Sequence, residues 1–209
     1  MRLSVPRLPL LIFLFIILGS VLLGFLVIYS IAATHSRGEY LRLENDFVRI
    51  DFPKNWFASS WSNKTSIGDA YNVFLASPTL ISAIIFTIRD ENATESFMRE
   101  HNLTDAFSIA TFETEKTYNW IKKEKNENAS IIFRETGSIA VLGNQANYSK
   151  IIIKDGLLSD GEYYNMSLLI MSYVKDGKLV EIVFWGRKED CEKTSGLFEA
   201  VLNSTEIKV

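Results

Sequence analysis

One cysteine and two histidines in 209 residues leave little material for several kinds of chemistry. Cys191 alone can form no intrachain disulfide, so an oxidising exterior is not used here for stapling. His35 and His101 lack paired-ligand spacing, and a zinc site would need distant residues to meet. There is no glycine-rich phosphate loop and no Gly-x-Ser-x-Gly elbow. A nucleophilic triad would have to draw on one of the two histidines, one beside an apolar run and one on an expected helix. We therefore expect no catalytic residues, no cofactor site and no metal site. Cationic residues are also in short supply: 22 Lys and Arg face 25 Asp and Glu, a net charge of −3. Setting aside Arg2 and Arg7 leaves 20 against 25 and a net of about −5 for the rest of the chain. Such a balance argues against a nucleic-acid partner and against a surface that clings to anionic headgroups.

Charge is missing altogether from Leu10 to Ala33. Those 24 residues make roughly 36 Å of helix at about 1.5 Å per residue. A hydrocarbon core is about 30 Å thick, so the run is long enough to be a transmembrane helix. Arg2 and Arg7 precede it with no acid among them, whereas Arg37 and Glu39 behind it offset each other. The positive-inside bias then predicts a cytoplasmic stretch over 1–9, a signal anchor over 10–33 and an extracytoplasmic remainder. A cleaved signal peptide is the alternative, with Ser30-Ile31-Ala32 as a small-x-small site, but its apolar core is usually about 7–15 residues long. Lipoprotein processing is excluded, because it needs a cysteine just after the run and the only cysteine is Cys191. The remaining 176 or so residues suffice for one good core.

Asn-x-Ser/Thr triplets point to the same side of the membrane. They occur at Asn63, Asn92, Asn102, Asn128, Asn147, Asn165 and Asn203, all past the apolar run and none with Pro at x. Thirteen asparagines in a chain that is about 15% Ser plus Thr would produce about two by chance. Turn chemistry favours Asn and Ser together, but not to that extent. We expect these seven as N-glycosylation acceptors on an external domain.

In chain order, residues 34–46 read as a polar stem, with Tyr40 at headgroup level. Phe47 to Phe52 reads as a strand stopped by Pro53. Residues 56–70, rich in serine, read as loop. Tyr71–Ala76 and Ser82–Ile88 are apolar strands, at least one of them central in a sheet. Thr94 and Thr104 are candidate N-caps, the second opening a helix to about Lys125 with Phe107, Ala110, Thr114, Tyr118 and Ile121 on one stripe. Strands follow at 130–135, 138–142, 145–154, 162–174 and 178–185, with turns at Gly143-Asn144 and Asp176-Gly177. A last helix from Lys188 carries Cys191, Thr194, Phe198, Val201 and Leu202 on one stripe. The tail 206–209 can add an edge strand. In the strand 162–174, Tyr164, Met166, Leu168 and Ile170 share the more apolar face, which turns Asn165 away from the core. The layout is α+β, an antiparallel sheet with helices packed on it.

The opening, Phe47-Val48-Arg49-Ile50-Asp51-Phe52-Pro53-Lys54-Asn55-Trp56, is an apolar strand followed by Pro-x-x-Trp, and it resembles the start of PsbP-like domains. The close resembles them too: Val174-Lys175-Asp176-Gly177-Lys178 through Phe184, a helix, then Leu202-Asn203-Ser204-Thr205-Glu206-Ile207. The likeness runs over 47–209. It implies an α/β/α sandwich around a central antiparallel sheet. Family members include extrinsic subunits of the photosynthetic oxygen-evolving complex and, on the same fold, a Ran-binding nuclear transport factor; others are lipid- or helix-anchored. Their shared theme is binding and assembly with no common catalytic centre, so no catalytic residue carries over.

Three local features remain. Asp90-Glu91 with Glu113 and Glu115 could hold a hard cation or simply be a solvated surface. Trp56, Phe57 and Trp61 form either an exposed contact patch or a plug at one end of the core. Cys191 should be a buried structural thiol. The expectation is an anchored, extracytoplasmic, non-catalytic accessory or assembly factor with a protein partner; the alternative is a small-ligand or metal-binding module.

Overall fold

The computed structural model describes residues 39–66 and 68–208. The apolar run over 10–33, the anchor expected there and His35 lie outside the described residues. No helix among the described residues is long and apolar enough to cross a membrane.

Seven strands form one antiparallel sheet in the order β3-β4-β5-β9-β8-β7-β6. They are β3 (Phe57–Thr65), β4 (Gly68–Ala76), β5 (Ser82–Arg89), β6 (Ser130–Val141), β7 (Asn144–Ser159), β8 (Glu162–Lys175) and β9 (Lys178–Arg187). Two meanders, β3-β4-β5 and β6-β7-β8-β9, meet where β5 pairs with β9 (Phe86 opposite Ile182). Left-handed residue pairs close three of the hairpins: Leu142-Gly143, Asp160-Gly161 and Asp176-Gly177. Asp and Gly suit that conformation, which is why two-residue turns can join such long strands. A second sheet is small: β1 (Tyr40–Glu44), β2 (Val48–Pro53) and β10 (Glu206–Ile207), with β2 in the middle.

The large sheet buries its two faces differently. On the first face, Tyr71, Val73 and Leu75 of β4, Ile84, Phe86 and Ile88 of β5, and Val180, Ile182 and Phe184 of β9 meet the small sheet through Val48, Ile50 and Phe52. Helix α3 (Lys188–Ser204) covers the same core with Cys191, Phe198 and Val201, and Phe198 stacks on Phe184 at 4.4 Å. On the second face, α2 (Ala106–Glu124) lies on β7 and β8, where Ala110 and Ile121 close over Ile151, Ile153, Met166, Leu168 and Ile170. The shorter α1 (Glu91–Glu100) packs against one end of β4, β5 and β9. The α/β/α expectation thus holds for the helices and is incomplete in one respect, since the first face also carries a three-stranded sheet.

Several boundaries differ from the sequence reading, each for a local reason. Tyr40–Glu44, read as stem, is strand β1; the side-chain fork of Arg42 to Asp51 (2.6 and 2.9 Å) ties it to β2. Residues 57–65, read as loop, are β3, held by backbone pairing to β4 in spite of five hydroxyl or amide side chains. Thr94 is not a cap. Asp90 caps α1, accepting from the Ala93 N–H at 2.7 Å, while buried Thr94 accepts from the Leu179 N–H at 3.0 Å. Asp105, one residue after Thr104, caps α2 with a reciprocal Ser108 box. The strands expected at 130–135 and 138–142 are one strand through Gly137. Strand β8 is buried from Met166 to Tyr173 apart from half-buried Leu169, and Asn165 just before it is half-buried; Met166, Leu168 and Ile170 share the face under α2.

Cys191 is buried, and burial pushes its thiol up to about 12; Tyr173, also buried, is pushed up to about 12. Both groups ionise at lower pH when unfolded, so the folded form holds more protons once the pH exceeds about 9. Stability should be insensitive to these groups below pH 9 and fall as the pH rises from 9 towards 12. Alkylation of native Cys191 at pH 8 should fail and proceed on unfolding. Ready labelling of the folded chain would contradict the assigned packing.

Candidate functional site

The second face of the large sheet is only partly roofed. Strands run antiparallel with alternating side chains, so every other residue of β5 and β9 points to the side that carries α1 and α2. These are Ile85, Thr87 and Arg89 on β5, and Glu181, Val183 and Trp185 on β9, paired as Ile85 with Val183 and Thr87 with Glu181. Because α2 sits over β7 and β8, a groove of about 600 Å³ remains between that helix and the sheet. Met166, Leu168 and Ile170 of β8 line its floor. Thr117, Trp120 and Ile121 of α2 form one wall, and Leu157 and Leu158 beside the β7–β8 turn form an end. Trp120 and Leu158 remain 52% and 55% exposed at the rim, although each is a large apolar side chain.

Charge enters the groove in balanced pairs. Arg89 forms an ion pair with Glu181, whose side chain is 5% exposed, and its guanidinium lies 4.3 Å over the Phe97 ring. Burial pulls the Arg89 pKa down, and Glu113 of α2 partly offsets that. At the other end Lys125 stands 4.9 Å over the Trp120 ring. Two cations and two carboxylates among the lining residues leave no net charge to select an ion. Chemically, the groove suits apolar surface whose polar atoms are few.

The apolar surface continues beyond the groove. Trp185 also borders a shallow pocket with Phe74 of β4. On β3, Phe57 and Trp61 occupy the same face, opposite Ala76 and Asn72, and both are exposed. The cluster Trp56, Phe57 and Trp61 therefore divides. Trp56 is buried in the main core, while Phe57 and Trp61 belong to the open second face.

The acidic candidates do not converge. Asp90 is occupied as a cap and also accepts from the Asp69 N–H at 2.7 Å. Glu113 pairs with Lys116 at 3.2 Å, and Glu115 pairs with Arg134. Among the described residues no group of three or more His, Cys, Asp or Glu side chains could hold a metal ion. His101 ends α1, with its ring stacked on Phe112 at 4.5 Å and edge-on to Phe97 at 5.0 Å. Of the seven asparagines in glycosylation triplets, Asn63, Asn92, Asn102, Asn128 and Asn203 are exposed, and Asn147 and Asn165 are half-buried. None of them lines the groove beside α2, whereas Asn203 borders the second groove, of about 670 Å³, beside α3.

No family model matches the chain, and no curated protein matches it. Among solved structures it is similar to the cyanobacterial PsbP protein CyanoP of Synechocystis sp. PCC 6803, determined in solution. The two are 15% identical over 83% of this chain and 98% of that one, with a TM-score of 0.42. It is also similar to PA94 of Pseudomonas aeruginosa, a protein of unknown function described as a putative regulator. That match is 9% identical over 78% of this chain and 93% of the other, with a TM-score of 0.32.

Proposed function

We propose that this chain is a single-pass, membrane-anchored extracytoplasmic domain that serves as a PsbP-like accessory or assembly factor. In this reading it grips an apolar segment of a protein partner in the groove beside α2. The observation that carries it is the pair Trp120 and Leu158, half exposed at the rim of an apolar floor. Large apolar side chains left in contact with water around a concave surface mark interaction sites. Continuity of the groove with Trp185, Phe74 and Phe57 makes the surface longer than a small molecule needs. The anchor over 10–33 and the external location rest on the charge-free run, on Arg2 and Arg7 before it, and on the seven triplets behind it. A second reading, an apolar small ligand, is favoured by one fact. The groove volume of about 600 Å³ falls inside the ~300–1,000 Å³ span of ligand sites.

The test uses the full chain in its own membrane. Trp120→Glu and Leu158→Glu place charge on the rim, where burial is too slight for a large stability effect. A photo-crosslinker at Thr117 should capture one protein from the native membrane, and the two substitutions should abolish that capture. Capture unchanged by both would sink the groove as the binding surface. Native mass spectrometry of the purified chain decides the second reading: a small molecule retained by the parent and lost from the variants would replace the protein. A mature terminus near Ala33 or Thr34 would contradict the anchor.

A further inference from the structure

Among the described residues both edges of the seven-stranded sheet are open, and they are treated differently. The β3 edge carries the usual devices against pairing: exposed Lys64, and exposed Asn63 in a glycosylation triplet. The β6 edge has fewer. Its 12 residues contain no Lys and no Pro, and the one glycosylation triplet that touches it, Asn128-Ala129-Ser130, reaches only its first residue. Its only irregularity is a bulge between Ile131 and Phe133, near one end. Ile132, Phe133 and Ile139 are 56%, 41% and 46% exposed. An edge this long, with apolar side chains standing out from it, offers a row of unpaired backbone donors and acceptors. Its two charges are turned home. Arg134 pairs with Glu115 of α2, and Glu135 accepts from the Tyr148 hydroxyl at 2.7 Å.

The sequence of β6 also matches itself. When two identical strands pair antiparallel about a two-fold axis normal to the sheet, the axis passes through one residue pair. An axis at Arg134 or Glu135 would set like charges opposite each other, which is unfavourable. One at Gly137 would set Glu135 against Ile139 and Arg134 against Ala140. One at Phe133 would run the pairing into the bulge. An axis at Thr136 sets Thr136 against Thr136, Glu135 against Gly137, Arg134 against Ser138, and Phe133 against Ile139, each off-axis pair occurring twice. Phe133 and Ile139 both lie on the first face, opposite Ile152 and Ala146 of β7, so they meet on one side of the joined sheet. Aromatic with β-branched is a favourable cross-strand combination.

We propose that β6 is a homotypic docking strand, and that two copies of this chain join edge to edge about Thr136 into one continuous fourteen-stranded sheet. This surface is separate from the groove and does not depend on the partner assigned there. The experiment is cysteine scanning of the full chain in detergent micelles under mild oxidation, with buried Cys191 left in place. Thr136→Cys should form a disulfide-linked dimer at least about tenfold faster than Glu135→Cys or Gly137→Cys, since only the residue on the axis meets its own copy within the roughly 4.4–6.8 Å Cα separation a disulfide requires. Phe133→Lys should abolish the link at Thr136→Cys and reduce the scattering mass of the uncrosslinked chain to that of a monomer. Equal crosslinking along β6, a maximum at another position, or a chain already monomeric before Phe133→Lys would overturn the proposal. A Trp61→Cys variant on the β3 edge is the control and should remain uncrosslinked.

Discussion

Replacing Phe86 by alanine should remove about 3–5 kcal/mol of stability, the range for emptying a fully buried aromatic site. Phe86 has no exposed surface and stands on β5 where the two meanders join, opposite Val73 on one side and Ile182 on the other. Val48, Ile50 and Phe52 of the small sheet belong to the same core cluster, so three layers of chain converge there and none can collapse into the void without breaking a strand pairing. Ile85→Ala, one residue along, makes the comparison. Ile85 points to the second face and lines the groove, half-buried, so its loss should cost no more than about 1–2 kcal/mol. Urea unfolding followed by tryptophan emission measures both. Similar losses at the two positions would mean that the second face is as closely packed as the first and that no groove is open.

Glu181→Ala should cost about 3 kcal/mol, at the lower end of the ~3–5 kcal/mol seen when one partner of a buried ion pair is removed. Glu181 is the more enclosed partner, and without it the Arg89 charge is left in a site already desolvated enough to pull its pKa down. The lower end applies because Arg89 retains the Phe97 ring and the field of Glu113, and its side chain is 19% exposed towards the groove. Replacing both partners by apolar residues of similar volume, Arg89→Met with Glu181→Leu, should restore most of the loss, because no charge is then stranded. The same double variant removes the ion pair from the inner end of the groove and leaves Glu113 as the charge there. Unfolding midpoints of Arg89→Met, Glu181→Leu, their double and the parent form a complete cycle. A double variant as unstable as the sum of the singles would show that the pair contributes through packing.

What could be read in advance divides along physical lines. Strand β9 was legible as a dense apolar run between turn signals and helix α3 by the regular period of its dry stripe, so Ile182, Phe184, Phe198 and Val201 declare themselves. Strand β3 was hidden because an edge strand needs only a neighbour for its backbone; Ser59, Ser60, Ser62 and Asn63 carry no apolar alternation to betray it. Gly137 split β6 in the sequence reading, whereas in the structure a Cβ there would lie 2.9 Å from the Tyr148 ring, which accounts for the glycine without ending the strand. Thr94 has the chemistry of a cap, yet the Leu179 backbone claims its hydroxyl from 85 residues away. The groove was the least legible, because it draws on β5, α2, the β7–β8 turn and β9 together. One signal was present. Trp120 falls off the apolar stripe of α2, among Asn119, Lys122 and Lys123, and a tryptophan on the polar side of a helix needs an explanation.

Strand β10 is two residues long, yet it places a constraint on the timing of synthesis. Its partner β2 is made before the strands of the large sheet, and β10 only after that sheet and α3. Ser204, at the end of α3, donates to the Asp51 carbonyl at 2.9 Å and accepts from the Asp51 N–H at 3.2 Å. Val48, Ile50 and Phe52 therefore have to wait for Phe198 and Val201 before the main core can close. At about 5–20 residues per second, translation of the stretch between β2 and β10 holds that core open for many seconds. A domain arranged in this way stays slack while that stretch is being made and becomes cooperative once β10 is in place. It is thus open to handling by other factors until its last strand is supplied.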